Sequence, residues 1–254
     1  MIILISPSKA LNFESKITVK KFTQPVFLKD AKILIEELRK LSKTEISQLM
    51  DLSKKLADLN FERYKTFQTP FNEKNSKPAI FVFDGDVYSE IHVEKYGEKQ
   101  IEYAQENLRI LSGLYGILKP LDLIQPYRLE MSVKLENRRG KNLYQFWQEK
   151  ISDELNLEFS QKSQKIIVNL ASEEYFGAVD KSKIKAKIIN VIFKENKNGK
   201  YKIIGLFAKK ARGMMADFMA CENVKNISQI KKFDRGGYKF IEEFSDENNL
   251  VFCR

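Results

Sequence analysis

The distribution of apolar residues predicts short buried strands separated by amphipathic helices. Short and nearly continuous apolar runs are typical of strands that are covered on both faces. Apolar residues that recur every three or four positions predict helices that bury one face. The predicted strands are residues 1–5, 79–83 and 165–170, and the predicted helices are residues 27–41, 44–64, 100–112, 142–159 and 208–221, with Thr44 capping the second helix.

The last third of the chain adds an antiparallel element to this pattern. Residues 187–207 are predicted to form a hairpin, because Asn198-Gly199 between two strand-like runs is typical of a two-residue turn. Further strands are predicted at 238–241 and 250–253. Strands that alternate irregularly with helices and include a hairpin predict an α+β fold. We therefore expect one domain over residues 1–254, with a mixed β-sheet flanked by helices.

The net charge of the chain is concentrated in one segment. The formal net charge is +10, from 44 Lys and Arg against 34 Asp and Glu. Residues 181–212 contain eleven basic residues and one acid, Glu195, so this segment accounts for the whole excess. A concentrated positive field attracts polyanions such as nucleic acid. A solvated, lysine-rich strand surface would give the same pattern, so charge alone leaves both interpretations open.

Several classes of protein are disfavoured by what the sequence lacks. No apolar run is long enough to span a bilayer, and Ile2–Ile5 is too short for the core of a signal peptide, so a cytoplasmic location is expected. One histidine and two distant cysteines cannot form a zinc or haem site of the usual kind. The glycine-rich patterns of common nucleotide-binding loops are also absent. We expect no cofactor, no stable metal site and no membrane partner.

Residues 108–124 suggest a helix-hairpin-helix. An apolar helix would end at a turn with Gly113 and Gly116, and a second apolar stretch follows. In such an element the exposed N–H groups of the turn contact a DNA phosphate without reading the bases. The alternative is an ordinary helix that is capped by glycine and followed by a turn.

Polar residues follow several of the predicted strands. Ser6-Pro-Ser-Lys9 follows the first strand, and Asn169-Leu-Ala-Ser172 follows another. Ligands commonly bind at the carboxyl ends of strands in open sheets. If the strands are neighbours, four side chains are expected to converge on one cleft and are our candidate catalytic residues: Lys9, Asp86, Ser172 and Lys209.

Two acidic positions allow more than one interpretation. Asp84 and Asp86 could bind Mg²⁺, although Asp86 is better placed to cap a helix that starts at Val87. Arg128 and Glu130 lie on one face of an extended segment, as an internal ion pair or as part of a site.

Taken together, these segments resemble the YaaA family of bacterial peroxide-stress proteins from residue 4 to about residue 240. Ser8 and Lys119 are mild departures, at positions where alanine and arginine are frequent in the family. The resemblance is carried by Ser6-Pro-Ser-Lys-Ala-Leu11, Gly85-Asp-Val-Tyr88, Leu111-Ser-Gly-Leu-Tyr-Gly-Ile-Leu-Lys-Pro-Leu-Asp-Leu-Ile-Gln-Pro-Tyr-Arg-Leu-Glu-Met131, Leu143-Tyr-Gln-Phe-Trp147, Val168-Asn-Leu-Ala-Ser172 with Glu174-Tyr175, and Ala208-Lys-Lys-Ala-Arg-Gly213.

The resemblance implies a cytoplasmic protein of the peroxide response that lowers free intracellular iron and so limits oxidative damage to DNA. It also implies a positively charged cleft, a helix-hairpin-helix and binding of duplex DNA, here with little sequence preference. The alternative is an enzyme that acts on a nucleobase, a nucleotide or damaged DNA. Direct binding of iron is disfavoured by the scarcity of ligands. The residues expected to contact DNA are Gly113, Leu114, Tyr115, Gly116, Lys119, Arg128, Lys183, Lys185, Lys187, Lys209, Lys210 and Arg212.

Overall fold

The computed structural model describes residues 1–254 as a set of short helices around one large β-sheet. The strands are β1 (Ile2–Ile5), β2 (Ala10–Leu11), β3 (Lys77–Pro78), β4 (Phe83–Asp84), β5 (Leu108–Ser112), β6 (Gly116–Leu118), β7 (Leu123–Ile124), β8 (Ile166–Asn169), β9 (Lys187–Lys197), β10 (Lys200–Lys202), β11 (Lys239–Phe240) and β12 (Asn249–Cys253). The helices are α1 (Leu28–Arg39), α2 (Lys43–Met50), α3 (Lys54–Thr66), α4 (Ala79–Val82), α5 (Glu98–Asn107), α6 (Leu143–Trp147), α7 (Lys150–Ser160), α8 (Glu173–Phe176), α9 (Gly205–Cys221) and α10 (Ile227–Ile230).

The large sheet has the strand order β11-β12-β9-β8-β1-β5-β6, and β10 extends it by pairing with β9. The five central strands β12, β9, β8, β1 and β5 are parallel, whereas β11, β6 and β10 are antiparallel to their neighbours. All four residues of β1 are buried, as expected for a parallel strand that is covered on both faces. The predicted mixed sheet flanked by helices in one domain is confirmed.

The order of the strands reverses between β1 and β8, and such a reversal is a common place for a ligand site. From β1 the chain reaches β5 on one side, and from β8 it reaches β9 on the other side. The loops that follow β1 and β8 therefore lead to opposite halves of the sheet, and ligands commonly bind at the carboxyl ends of the strands at such a point. We use "carboxyl edge" for the side of the sheet where β1, β5 and β8 end, and "amino edge" for the side where they begin.

Several predicted elements are confirmed. The strands at 1–5 and 165–170 are β1 and β8, and the hairpin turns at Asn198 and Gly199, both of which have positive φ angles, 55° and 78°. The strands near the C-terminus are β11 and β12. The helix predicted over 208–221 is α9, which begins three residues earlier, at Gly205.

Other elements differ from the prediction, mostly in local detail. Residues 79–82 form the short buried helix α4 rather than a strand, because a fully buried apolar run has no periodicity that separates the two. The helix predicted over 44–64 is two helices, and Ser42 rather than Thr44 caps the first, in a capping box with Glu45. The helix predicted over 142–159 is interrupted at Gln148, whose φ angle is 31°.

The predicted helix-hairpin-helix is wrong. The helix expected over 100–112 ends at Asn107, and Leu108–Ser112 is the buried strand β5. β5 pairs with β1 in the register Ile3↔Leu108 and turns directly into β6. The pairing of β5 with two neighbours outweighs the helical spacing of its leucines, since both of its sides gain hydrogen-bonded partners.

The glycines of this turn are required by close packing rather than by contact with phosphate. A Cβ atom on Gly113 would lie 2.2 Å from the carbonyl oxygen of Leu129, which no side chain tolerates. Leu114 and Tyr115 are fully buried, and the indole N–H of Trp147 donates to the Gly113 carbonyl at 2.9 Å. The turn is therefore part of the core.

The far end of the β5–β6 hairpin is held by a buried carboxylate. Asp122 accepts hydrogen bonds from the Thr23 hydroxyl at 2.6 Å and from the Lys119 N–H at 2.8 Å. Burial raises the pKa of Asp122 to about 6, although the two hydrogen bonds oppose this effect. Between its ordinary pKa and the raised one, Asp122 is protonated more fully in the folded state, so its contribution to stability falls as the pH rises through this window.

We expect the Asp122→Asn variant to lose this pH dependence. Relative to the variant, the wild type should be about 2 kcal/mol more stable at pH 4.5 than at pH 7, because the folded carboxyl binds a proton that the unfolded one has released. Urea unfolding of both proteins at the two pH values measures the difference. An unchanged stability difference between the proteins at the two pH values would show that Asp122 titrates normally.

Candidate functional site

The loops that follow β1 and β8 meet at the carboxyl edge through two serines. The Ser172 N–H donates to Ser6 Oγ at 2.9 Å, and the Ser6 hydroxyl donates to Ser172 Oγ at 3.2 Å. The Tyr88 hydroxyl donates to the Ser6 carbonyl at 3.0 Å. The contact is possible because β1 and β8 pair in parallel, in the register Ile3↔Val168, so that they end side by side.

A charged cluster lies beside these serines. Lys9 Nζ lies 3.2 Å from Glu130 Oε1, and Arg128 Nη2 lies 3.0 Å from the same oxygen. The Glu130 side chain is only 9% exposed, whereas that of Lys9 is 64% exposed. Glu130 Oε2 is buried and has no hydrogen-bond partner. Such an atom costs free energy unless it binds a ligand or an ordered water.

Four largely buried tyrosines lie next to the charged cluster and the serine pair: Tyr64, Tyr88, Tyr127 and Tyr175. The Tyr127 hydroxyl shares a hydrogen bond of 2.7 Å with Ser112 Oγ at the end of β5, and the Tyr64 hydroxyl donates to the Arg128 carbonyl. Burial raises the pKa of Tyr64, Tyr88, Tyr127 and Tyr175, and the negative charge of Glu130 adds to the effect for all of these except Tyr88. The phenols therefore remain neutral, and those of Tyr64 and Tyr88 donate hydrogen bonds to backbone carbonyls.

Helix α9 forms a basic rim above the cluster. Lys209 Nζ lies 4.0 Å from Asp86 Oδ2, and Lys210 Nζ lies 3.7 Å from Glu90 Oε1. The helix can approach this turn because Gly213 has no side chain: a Cβ atom there would lie 2.0 Å from the Val87 carbonyl oxygen.

Arg212 on the same helix is the second residue with a buried polar atom that lacks a partner. Its Nε has no hydrogen bond in the structure. Burial lowers the pKa of the Arg212 guanidinium, and the Glu173 carboxylate at the start of α8 opposes the change. Two incompletely satisfied charged side chains, Arg212 and Glu130, thus belong to elements that meet at the carboxyl edge.

The structure brings some of the sequence-derived candidates together and separates others. Lys9, Asp86, Ser172 and Lys209 all lie at the carboxyl edge, but Lys9 pairs with Glu130 rather than with Asp86. Asp86 does not cap the turn that begins at Tyr88. Among the residues expected to contact DNA, Arg128, Lys209, Lys210 and Arg212 also lie at this edge.

The remaining candidates lie elsewhere. Lys187 begins β9 at the amino edge, Lys185 donates its N–H to Asn156 on the way there, and Lys183 is ion-paired with Glu149. Lys119 follows β6, which runs antiparallel to β5, and it too lies toward the amino edge. The Gly113–Gly116 turn is buried. The residues expected to contact DNA therefore do not form one surface, because the turn is buried and the segment 181–212 crosses the sheet with its lysines distributed over both edges.

Sequence reasoning missed the tyrosines and the central role of Glu130. The spacing of Arg128 and Glu130 was the one available signal, since it placed both on the same side of an extended segment. A buried tyrosine looks the same in sequence as any core aromatic residue. Neither the serine pair nor the tyrosine layer has a spacing pattern, because their members come from distant parts of the chain.

Three further observations concern metal sites, membrane spans and cavities elsewhere in the molecule. No group of three or more His, Cys, Asp or Glu side chains is arranged to hold a metal ion. None of the helices has both the length and the apolar character that crossing a membrane requires. A cavity of about 570 Å³ among Met1, Tyr103 and Lys162 lies at the amino edge, far from the unpartnered atoms of Glu130 and Arg212. We therefore place the candidate site at the carboxyl edge.

The fold and this edge define a class of α/β protein with a mixed central sheet and a polar, basic-rimmed candidate site where the strand order reverses. Comparison with known proteins identifies the family. A family model described as peroxide stress protein YaaA matches residues 1–244. UPF0246 proteins from Aliivibrio fischeri and Colwellia psychrerythraea are 49% and 50% identical over 254 residues, which cover 100% of this chain and 98% and 99% of the relatives. The chain belongs to the YaaA family of peroxide stress proteins.

Lys9 and Arg128 should differ in their effect on stability, although both pair with Glu130. We expect Lys9→Met to change the free energy of unfolding by less than about 0.5 kcal/mol, because the side chain is mostly in water. Arg128→Met should cost roughly 2 kcal/mol or more, since it removes a largely buried partner of Glu130. Urea unfolding compares the two matched variants. An equal loss in both would show that Lys9 has a structural role.

Proposed function

We propose that this protein serves the peroxide stress response by binding duplex DNA along its carboxyl edge, with little preference for sequence. The observation that carries the proposal is a segment rich in cations and free of acids that leads from the end of β9 into α9. Between residues 196 and 216 the chain has six basic residues, Lys197, Lys200, Lys202, Lys209, Lys210 and Arg212, and no Asp or Glu. Lysines that are free to move toward phosphates supply most of the affinity of nonspecific DNA binding.

The exposure and the arrangement of the cations support contact with the DNA backbone. The side chains of Lys9 and Lys209 are more than half exposed, and the acids beside Lys209 and Lys210 lie 4.0 and 3.7 Å away, as loose pairs that a phosphate can replace. Phosphate contacts alone position a protein without specifying a sequence.

The family's link to intracellular iron fits this proposal as an indirect effect. Oxygen ligands such as Asp84 and Asp86 bind iron weakly, and the chain has a single histidine. We propose that limited oxidative damage and lower free iron follow from the activity at the carboxyl edge rather than from storage of iron. Tight binding of Fe²⁺ in a calorimetric titration would contradict this part.

The DNA proposal is tested by removing two charges at either edge. We expect Lys209→Gln/Lys210→Gln to weaken binding of a duplex about tenfold and to reduce the log–log salt slope by up to about 1.8, since each phosphate contact contributes about 0.9. Lys185→Gln/Lys187→Gln removes the same charge at the amino edge and should retain most of the affinity. Fluorescence anisotropy with a labelled duplex between 50 and 200 mM salt measures both.

The comparison separates a local surface from a general effect of net charge. Equal loss of affinity in the two double variants would show that the carboxyl edge is not the DNA surface. Binding that does not change with salt would remove the phosphate contacts from the proposal altogether.

A second candidate function is an enzyme that acts on a nucleobase, a nucleotide or damaged DNA. The specific observation in its favour is the pair of buried atoms without partners, Glu130 Oε2 and Arg212 Nε. A carboxylate whose one oxygen is held by Lys9 and Arg128 has its other oxygen available to accept a proton from a ligand or from water. Perturbed and unsatisfied charged groups are common at sites of chemistry.

Chemistry at this site predicts a product that depends on Glu130. We expect wild-type protein to convert a component of a peroxide-treated duplex or of a deoxynucleotide mixture, and Glu130→Gln to reduce the rate at least about a hundredfold, as expected for loss of general base catalysis. Chromatography of the reaction mixtures detects the product, and Lys185→Gln serves as the control. Absence of any product with the wild type would leave DNA binding as the function.

A further inference from the structure

The corner between β10 and α9 exposes apolar side chains that the fold does not cover. Ile203, Leu206 and Phe207 are 61%, 51% and 38% exposed, and none of them belongs to the hydrophobic core or packs against it. We call these three residues the apolar tip. Exposed apolar surface of this kind is unfavourable in water, and a cluster of it marks a surface that binds something.

The apolar tip is held in place by the elements on either side of it. Strand β10 pairs with β9 through three residue pairs, and the Ala208 N–H donates to the Ile204 carbonyl at 2.9 Å as α9 begins. The Arg254 guanidinium lies 5.0 Å from the centre of the Phe207 ring. The tip is therefore a firm projection rather than a loose loop.

Cations flank the apolar tip on both sides along the chain. Lys200 and Lys202 precede it in β10, and Lys209 and Lys210 follow it in α9. The partner that fits this arrangement has negative charges on its outside and flat apolar surfaces between them. Duplex DNA has this structure, since phosphates border each groove and stacked bases fill the interior.

We propose that the apolar tip inserts into a base step of duplex DNA and kinks the duplex while the flanking lysines hold the phosphates. Apolar wedges of isoleucine, leucine or phenylalanine unstack a step and bend the duplex in this way in architectural proteins. The proposal rests on the proposed DNA binding and adds to it a mode of contact. The cost of unstacking is offset by burial of the tip and by phosphate contacts that the bend brings within reach.

A lipid surface is the other partner that joins apolar and anionic groups, and the shape of the molecule disfavours it. A helix that lies in a membrane exposes an apolar face along its length. In α9 the apolar side chains beyond the first turn are turned into the protein, including Ala208, Ala211, Met215 and Met219. The exposed apolar area is limited to three side chains at one corner, and this area matches the size of a single base step better than the face of a membrane-bound helix.

The test replaces the two most exposed residues of the apolar tip without changing charge. We expect Ile203→Ser/Leu206→Ser to bind duplex DNA about tenfold more weakly than the wild type, because the variant loses two apolar side chains that the complex with DNA would bury. The salt slope should be unchanged, because no charge is removed. Fluorescence energy transfer between the ends of the duplex should report a bend of roughly 20–90° with the wild type and none with the variant. Leu157→Ser, at a residue of α7 that is 62% exposed, is the matched control and should behave as the wild type.

The outcomes separate this proposal from the one on which it rests. If the wild type binds the duplex with a steep salt slope and the tip variant binds and bends it equally well, the wedge is overturned and DNA binding stands. If the wild type does not bind the duplex, both are overturned. Binding to phosphatidylserine vesicles that depends on the tip, in the absence of bending, would identify a membrane partner and overturn the wedge. Circular dichroism of the variant should match that of the wild type, since both replaced residues are exposed.

Discussion

The parallel pairing of β1 with β8 is the interaction on which the rest of the molecule depends. It joins residues that are more than 160 positions apart, in the register Ile2↔Ile167 to Leu4↔Asn169. Because each strand is fixed by its other neighbour, β5 or β9, the two cannot slide past one another without exposing β1, which is buried along its whole length. The loops that leave this pair meet at Ser6 and Ser172, and Glu130 and helix α9 reach the same edge from other parts of the chain.

The polar groups at this edge lower the stability of the fold. Glu130 is buried, with Lys9 and Arg128 beside one carboxylate oxygen and no partner for the other, and Arg212 is partly buried with an Nε that has no hydrogen bond. A well-packed apolar cluster in the same space would be at least as stable. Beside the cluster, the Tyr64 hydroxyl donates to the Arg128 carbonyl, and Ser6 and Ser172 hydrogen-bond to each other. A site that is this polar and incompletely satisfied requires a ligand or an ordered water that completes it.

Residues 108–124 have the residue spacing of a helix and a glycine turn, but they form a buried β-hairpin. The leucines of this segment recur as they would in a helix, and its glycines suggest a phosphate-binding turn. In the fold, Leu108 pairs with Ile3, and the space beside Gly113 is occupied by the Leu129 carbonyl. The same glycines that suggest an exposed turn are thus required because the backbone is crowded. The lysines of 181–212 are likewise close together in sequence but lie at both the amino edge and the carboxyl edge. The long strand β9 carries the chain from one edge to the other.

The sequence by itself determined the strands β1, β8, β9 and β12, the hairpin turn at Asn198-Gly199, the amphipathic helices and the family to which the chain belongs, because these depend on local composition and on continuous motifs. Only the tertiary structure decided that Ser6 contacts Ser172 and that Glu130 pairs with both Lys9 and Arg128. It also decided that Lys209, and not Lys185, lies at the same edge as these residues. The physical reason is that strand order and register are set by which surfaces bury one another across long separations. No local pattern of residues encodes that choice.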